Sequence, residues 1–195
     1  MIKFGILLLT LFISTAQAFD LTDLENQLKQ TQSSQGQFEQ QKRLRGVDKP
    51  LVSSGEFALV QQKGLLWRLE KPIQYITRIS FGTGIDYWAN GQWVKAEMSL
   101  GATTQIRLFL DLLGGNTNEL KKQFNIQLNG NEESWQAILI PNTVLLKQIF
   151  NKIEINGTQT VNQILLFETQ GDSTLIELKN QKLNQPLVGF VQNAF

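Results

Sequence analysis

The sequence predicts an α+β protein in which two amphipathic helices cover one face of a large antiparallel sheet. Through most of the chain, large apolar residues alternate with polar ones over short segments, which is typical of strands with one buried face. Turn residues separate these segments, and the pairs Asn90-Gly91 and Asn156-Gly157 are strong hairpin signals. Two other segments, near residues 20–35 and 100–113, instead repeat leucine at helical spacing.

The centre of the chain, from Ser54 to Phe81, is predicted to form two or three successive strands. Large apolar residues recur at every second position along each of them: Phe57 and Leu59 on the first, Leu65, Trp67 and Leu69 on the second, and Ile73, Tyr75, Ile79 and Phe81 on the third. Polar residues fill most of the positions between them. Each strand therefore has one hydrophobic side, which must pack against another part of the molecule.

The first helix is predicted over Asp20 to about Gln35, with Gly36 as its end. Thr22 and Glu25 have the spacing of a capping box. The apolar stripe of this helix is narrow and consists of Leu21, Leu24 and Leu28. A helix with so few apolar residues is stable only when it lies on a larger apolar surface.

After this helix, Gln37 to Leu44 is predicted to begin the first strand and Gly46 to Ser54 to form a loop. The second helix is predicted over Leu100 to Leu113, and it is much more apolar than the first. Ile106, Phe109, Leu110 and Leu113 lie at i, i+3, i+4 and i+7, and two glycines follow.

Beyond the second helix, a helical turn is predicted over Asn118 to Gln123, and alternating segments from Phe124 to Leu178 predict an antiparallel meander. Helices lying on a curved sheet enclose either a sealed core or a cavity for a ligand. The periodicity alone leaves both arrangements open.

Residues 1–18 have the pattern of a cleaved export signal. Lys3 provides the positive charge, Phe4 to Ile13 an apolar run, and Ala16-Gln17-Ala18 the small-x-small cleavage site. The apolar run is short for spanning a bilayer core of about 30 Å. We therefore expect an exported protein that consists of one domain, residues 19–195, and is located in the periplasm of a bacterium with two membranes.

Composition excludes several classes of function. Cysteine and histidine are both absent, so the chain has no thiol nucleophile, disulfide, imidazole base or ordinary zinc site. The formal charge is only +1, which does not favour nucleic acid as a partner. The carboxylates with the best context for catalysis are scattered, namely Asp86, Asp111, Glu132, Glu133 and Asp172. We expect no enzyme activity, no metal and no cofactor.

Several segments together resemble the LolA-type outer-membrane lipoprotein carriers. The resemblance extends from about Phe19 to Leu187 and is moderately specific. It rests on segments that occur in the same order as in that family: Phe38-Glu39-Gln40-Gln41, Gly55-Glu56-Phe57-Ala58-Leu59, Leu65-Leu66-Trp67-Arg68-Leu69-Glu70-Lys71-Pro72, Leu110-Asp111-Leu112-Leu113-Gly114, and the later spacing of Trp135, Leu139, Pro141 and Ile153 to Ile155.

The resemblance implies an incomplete antiparallel β-barrel, a half-barrel, whose open concave side is covered by helices. It also implies a monomer that binds an acylated lipoprotein or lipid and carries it between an inner-membrane ATP-driven release complex and an outer-membrane receptor. Family members commonly have an Arg-Pro pair before the aromatic strand, and that arginine latches the lid. This chain has Gln61-Gln62-Lys63-Gly64 there. This departure puts the latch in doubt. Lys63 is the candidate substitute, although an ammonium lacks the planar fork of a guanidinium.

The resemblance also suggests which residues contact cargo. Those expected to line the concave wall are Phe57, Leu59, Leu65, Trp67, Leu69 and Tyr75, and those expected on the lid helices are Leu24, Leu28, Phe109, Leu110 and Leu113. For each one, ordinary core packing is the alternative.

Two alternatives to a housekeeping lipoprotein carrier remain open. The missing arginine is compatible with a specialised carrier of a glycolipid or a lipid-like pigment. A non-transporting protein-interaction module is the other alternative, with Trp88 and Trp93 as its exposed anchors.

Overall fold

A computed structural model of the chain describes residues 19–80, 84–97, 107–108, 110–187 and 189–194. The predicted export signal and Phe109 lie outside these ranges. The described helices are α1 (Leu21–Gln30), α2 (107–108 and 110–114), α3 (Thr117–Gln123) and α4 (Val144–Lys147). A 3₁₀ turn over Gly189–Asn193 lies near the C-terminus.

The described part of the chain contains eleven strands. They are β1 (Ser33–Arg43), β2 (Leu51–Val60), β3 (Gly64–Lys71), β4 (Tyr75–Ser80), β5 (Gly84–Ala89), β6 (Gln92–Lys95), β7 (Phe124–Asn131), β8 (Ser134–Pro141), β9 (Phe150–Gly157), β10 (Val161–Glu168) and β11 (Ser173–Leu183).

All eleven strands belong to one antiparallel sheet in the order β6-β5-β4-β3-β2-β1-β11-β10-β9-β8-β7. Two runs of hairpins meet where β1 pairs with β11. The outermost strands, β6 and β7, do not pair with each other among the described residues, so the sheet is not closed. The predicted α+β half-barrel is confirmed.

The concave face of the sheet carries the main hydrophobic core. Its side chains come from every second position of each strand, as the alternation predicted, and include Phe57 and Leu65 from one half of the sheet and Leu139 and Ile153 from the other. Below, the upper end of the sheet is the end at which β1 begins, and the lower end is the end at which β1 finishes.

The first helix is shorter than predicted. It ends at Gln30, and β1 begins at Ser33, so Gly36 is a strand residue and not a helix stop. Gly36 lies at a bulge in the pairing with β11, where a Cβ atom would come within 2.6 Å of the Lys179 carbonyl oxygen. The amide-rich segment after Gln30 lacked the apolar alternation that marks the other strands.

The cap of α1 also differs from the prediction. Asp20, and not Thr22, is the N-cap, and its carboxylate accepts hydrogen bonds from the backbone N–H groups of Thr22 and Asp23. The Asp23 carboxylate completes the capping box by accepting from the Asp20 N–H at 3.0 Å. These backbone hydrogen bonds lower the pKa of Asp20.

The C-terminal segment packs on the convex face, opposite the helices. Val191 and Ala194 contact a second apolar cluster that includes Leu66. The Arg78 guanidinium donates to the Ala194 carbonyl oxygen at 2.8 Å, and it pairs with the Asp86 carboxylate at 2.7 Å. Both faces of this half of the sheet are therefore covered in part.

Candidate functional site

The candidate site is the interface between the lid helices and the concave face. Leu28 from α1 and Leu113 from α2 line one small cavity together with Phe57 and Leu59 from β2. All four of these side chains are buried. Leu28 and Leu113, two of the predicted lid residues, therefore lie beside part of the predicted wall.

A close approach between helices fixes the position of α1. Gly115, which follows α2, has a φ of +68°, and a Cβ atom there would lie 2.6 Å from the Cβ atom of Leu28. Glycine satisfies both conditions, the left-handed backbone and the lack of space. Leu24 and Leu28 also face the other half of the sheet across a second cavity lined by Trp135 and Leu139.

Aromatic residues form the middle of the predicted wall. The rings of Phe38 and Trp67 stack with centroids 3.7 Å apart, and Phe57 lies 6.3 Å from Trp67. Phe38 was not predicted as a wall residue. In the sheet it is opposite Gly55, which has no side chain to separate Phe38 from Trp67 on the next strand.

The lid covers only part of the apolar concave face. Leu65 is completely buried near the upper end, but Trp67 and Leu69 farther along β3 are only half-buried. Tyr75, opposite Leu69, is 46% exposed and stacks on Tyr87 at a centroid distance of 6.0 Å. An apolar strip therefore continues from under the helices toward the lower end of the sheet.

The two cavities between the described helices and the sheet are small. Each has a volume of about 20 Å³. Since one water needs about 10–15 Å³ measured in this way, neither cavity accommodates an acyl chain. Of the two arrangements that the periodicity left open, a sealed core and a cavity for a ligand, these two positions show the sealed core, because the helices themselves fill the space.

A larger groove of about 570 Å³ lies elsewhere, between the convex face and the C-terminal segment. Its side chains are mainly amides and charged groups, among them Gln35, Gln37 and Lys182. This lining does not fit hydrocarbon, so we do not place the acyl site there.

Side-chain hydrogen bonds to backbone carbonyl groups hold the lid at the upper end. Gln27 of α1 donates to the carbonyl oxygens of Glu132, at 3.2 Å, and Thr158. Gln61, in the β2–β3 turn, donates to the Gly114 carbonyl oxygen at 3.4 Å. Lys63, the predicted latch, lies in the same turn and is exposed. Gln61 thus makes the contact that the sequence analysis expected of Lys63.

Asp111 is a buried carboxylate on α2. Its side chain is 5% exposed and accepts a hydrogen bond from the Asn116 amide at 3.0 Å. Burial raises the pKa of Asp111, and the hydrogen bond from Asn116 partly opposes that shift. The charged form of this group is therefore disfavoured in the folded state.

A polar cluster beside the first cavity was not predicted. Gln181 of β11 accepts hydrogen bonds from the hydroxyl groups of Ser34 and Thr160 and donates to the Val161 carbonyl oxygen. All buried polar side-chain atoms of the described residues have a partner. Single polar residues on amide-rich strands have no sequence pattern that would mark them as inward-facing.

The other candidates of the sequence analysis do not join this site. Trp88 and Trp93 pair across the β5–β6 hairpin on the convex face, where Trp93 contacts the C-terminal cluster and Trp88 is 36% exposed. Among the described residues, no group of three or more acidic side chains is placed to hold a metal ion. None of the described helices has the length and apolar character needed to cross a bilayer.

Comparison with known families identifies the chain. The family model described as outer membrane lipoprotein carrier protein LolA matches residues 29–189. The chain belongs to the LolA family. The resemblance found in the sequence is thereby confirmed, and membership makes this protein one of a family of lipoprotein-binding or carrier proteins, not of enzymes. No curated protein sequence matches the chain significantly.

Solved structures share the fold at low sequence identity. MucB is 13% identical with a TM-score of 0.52, and the match covers 88% of this chain and 61% of MucB. The structure of the Pseudomonas aeruginosa MucA/MucB complex is 13% identical with a TM-score of 0.50, and the match covers 86% of this chain and 57% of that one. A LolA superfamily protein from Nitrosomonas europaea is 6% identical, with a TM-score of 0.47 and coverage of 87% and 96%. The chain thus spans about three fifths of MucB.

The buried carboxylate predicts an unusual pH dependence. Because the pKa of Asp111 is raised in the folded state, its cost to stability is absent below the unfolded value, 3.8, and grows as the pH rises through the folded pKa. We expect Asp111→Asn to raise the melting temperature at pH 7, with a difference that shrinks as the pH falls toward 4. Thermal unfolding followed by circular dichroism measures this.

The exposed residue Asp48 provides the matched control, because Asp48→Asn removes the same charge from a turn. Its melting temperature should stay close to that of the unaltered protein at each pH. A lower melting temperature of Asp111→Asn at pH 7 would show that the closed lid requires the charged carboxylate.

Proposed function

We propose that this LolA-family protein is a periplasmic carrier that binds the acyl chains of a lipoprotein or lipid against its concave face. The observation that carries the proposal is the apolar strip that extends beyond the lid, from buried Leu65 through half-buried Leu69 to exposed Tyr75. An ordinary sealed core has no reason to continue into solvent in this way. Cargo would displace the lid and occupy the surface that the helices now cover.

The energies of lid and cargo are comparable. Burying a leucine contributes about 1.5–3 kcal/mol, so Leu24, Leu28, Leu110 and Leu113 together contribute on the order of 6–12 kcal/mol to closure. Removing an acyl chain from water contributes about 0.8 kcal/mol per methylene, or on the order of 12 kcal/mol for a chain of about 16 carbons. One chain roughly offsets lid displacement, whereas two or three exceed it. The lid thus favours cargo with several chains.

The route and the cargo are further parts of the proposal. Residues 1–18 would direct export. The carrier would take cargo from an inner-membrane ATP-driven release complex and deliver it to an outer-membrane receptor, as the resemblance to LolA-type carriers implies. The cargo would be a triacylated lipoprotein. Because this chain lacks the family's arginine before the aromatic strand, a glycolipid or a lipid-like pigment from a biosynthetic cluster is the alternative cargo.

The direct test is to identify what the protein carries. We expect protein purified from a bacterial periplasm to retain near-stoichiometric acylated molecules in native mass spectrometry. Protein that is empty, but bound tightly to another periplasmic protein, would instead support the non-transporting interaction module.

A wall substitution tests the site. Leu69→Gln should weaken binding of a fluorescent acyl probe on the order of tenfold, since it places an amide within the apolar strip. Leu69 is half-buried, so this change is tolerated better than one at completely buried Leu65. Leu165→Gln, at a half-buried position on the convex face, is the matched control, and equal losses in both variants would contradict the wall assignment.

A lid substitution should act in the opposite direction. Gln27→Ala removes the hydrogen bonds to Glu132 and Thr158. Because apparent affinity scales with the fraction of molecules that are open, the same acyl probe should bind more tightly. Gln127→Ala alters an exposed amide on β7 and should leave the affinity unchanged. Weaker binding to Gln27→Ala would show that α1 contributes to the cargo site and does not compete with cargo.

A further inference from the structure

The lower end of the sheet exposes a group of apolar side chains. Five of them lie at the start of β2, in the β1–β2 turn, and around the β3–β4 turn: Ile73 is 68% exposed, Leu51 59%, Val52 52%, Val47 51% and Tyr75 46%. We call residues 43–52 and 70–75 the lower corner. Scattered exposed apolar residues need no explanation, but neighbouring ones mark a contact surface.

Strand pairing brings the segments that carry these side chains together, with Leu51 and Val52 on opposite faces of β2. β2 and β3 pair with Ser54 opposite Lys71, which brings the start of β2 and the β3–β4 turn side by side. Tyr75 then begins β4 opposite Leu69. The aliphatic residues Val47 and Ile73 therefore lie in the turns, at the outermost positions, and the aromatic ring lies one step farther into the sheet.

The lower corner also carries excess positive charge. Within the corner, Arg43, Arg45, Lys49 and Lys71 oppose Asp48 and Glu70. The Asp172 carboxylate of the adjacent β10–β11 turn is a third acid at its edge, so four cations face three carboxylates. Glu70 lies 3.7 Å from Arg68, at the edge of the corner. Among the described residues, no carboxylate lies within ion-pair distance of the side chains of the corner's four cations.

The β10–β11 turn contacts the corner from one side. The Asp172 carboxylate of the β10–β11 turn accepts a hydrogen bond from the Arg45 backbone N–H at 2.9 Å. The Arg45 side chain packs close to Gly171. This bond joins the β1–β2 turn to the β10–β11 turn through the Arg45 backbone. In the described part of the chain, no carboxylate is within ion-pair distance of the Arg45 guanidinium.

We propose that the lower corner docks on a lipid surface that carries anionic headgroups. Aliphatic side chains at the outermost positions, with basic residues beside them and tyrosine behind them, are typical of a surface that enters a membrane interface. The cations complement anionic headgroups. A protein partner would more typically bind a flat patch with a buried aromatic anchor. Here the apolar groups are spread over two turns.

The corner lies at the end of the proposed cargo surface, so membrane contact there would serve transfer of cargo. This step rests on the proposed carrier function. Leu51 belongs to the same sheet face as Phe57, and Tyr75 to the same face as Leu69. The apolar strip therefore ends at the lower corner. Docking there places the end of the cargo surface at the level of lipid tails, so a chain can pass from leaflet to carrier without crossing water.

The test is vesicle flotation of protein purified from a bacterial periplasm. We expect it to float with vesicles of equal parts phosphatidylglycerol and phosphatidylcholine, to float less with phosphatidylcholine alone, and to detach as salt is raised. No binding to either vesicle would overturn the proposal and favour a protein partner. Equal binding to both, independent of salt, would overturn the role of the cations.

Two pairs of variants locate the contact. Leu51→Ser with Ile73→Ser should reduce binding to the phosphatidylglycerol vesicles about tenfold or more. The matched control, Val144→Ser with Leu145→Ser, alters comparably exposed residues on α4. This helix joins β8 to β9 at the same end of the sheet but in its other half, so the control tests the location of the contact within the lower end, and it should bind normally. Lys71→Gln should reduce binding about fivefold. Lys182→Gln, at an exposed position at the upper end of β11, should have little effect.

The acyl-probe assay separates this proposal from the carrier function. Normal probe binding by Leu51→Ser with Ile73→Ser, together with lost flotation, supports docking at the corner. Loss of both would mean that these residues serve the cargo surface and would overturn their assignment to docking. Equal loss of flotation in the control pair would overturn the location. Failure of the unaltered protein to bind the probe would count against the carrier and not against docking.

Discussion

The structure depends on one constraint, which is that an open sheet with an apolar concave face must be covered. A closed barrel satisfies its edges and its interior together, but this sheet leaves β6 and β7 unpaired with each other in the described part of the chain. The helices therefore provide the missing side of the core. Leu28 on Phe57 and Leu59, and Leu24 near Trp135, are the contacts that close it. The stability of the fold and the availability of the site are thus set by the same interface.

The chemistry of the lid favours exchange with hydrocarbon. Apart from its leucines, α1 is held to the sheet by Gln27, which donates to backbone carbonyl groups at the upper end. Water can replace an amide as the donor to a carbonyl group at little cost, so opening leaves no stranded charge. Glu25 adds one link, since it accepts hydrogen bonds from Lys29 and from Thr117 of α3, and these bonds lower the pKa of Glu25. Burial disfavours the charged form of Asp111. Polar groups therefore limit how much more stable the closed lid is than the open one.

Most of the fold could be predicted because strands with one buried face have a period of two. The Asn90-Gly91 hairpin was found for a related reason, since both residues have positive φ there, 50° and 80°. The start of β1 was missed, because the amide-rich segment around Gly36 has neither helical nor strand periodicity. The four-residue helix α4 was missed because it is too short to show a period. Tyr75 was predicted to lie on the concave wall, and in the structure it pairs with Leu69 but is 46% exposed. Alternation indicates the face of a residue and not its distance from the end of the sheet.

The candidate site could be predicted in part only, and the reason is physical. Sequence pattern identifies which side chains face inward, and this placed Leu28, Leu59 and Leu113 at one interface. It does not give the volume that remains, because close packing depends on differences of single methylene groups between facing residues. Gln61 shows the same limit for polar contacts, since two amides and a lysine share its turn and only geometry distinguishes them. At the two positions described above the helices fill the space, and this is compatible with a carrier function because the filling is a separate helix. The relevant property is then the apolar surface shared by lid and cargo, and not the volume of an empty chamber. That surface continues past the lid along β3, from Trp67 to Leu69, and this part is open to cargo before any leucine of the lid is displaced.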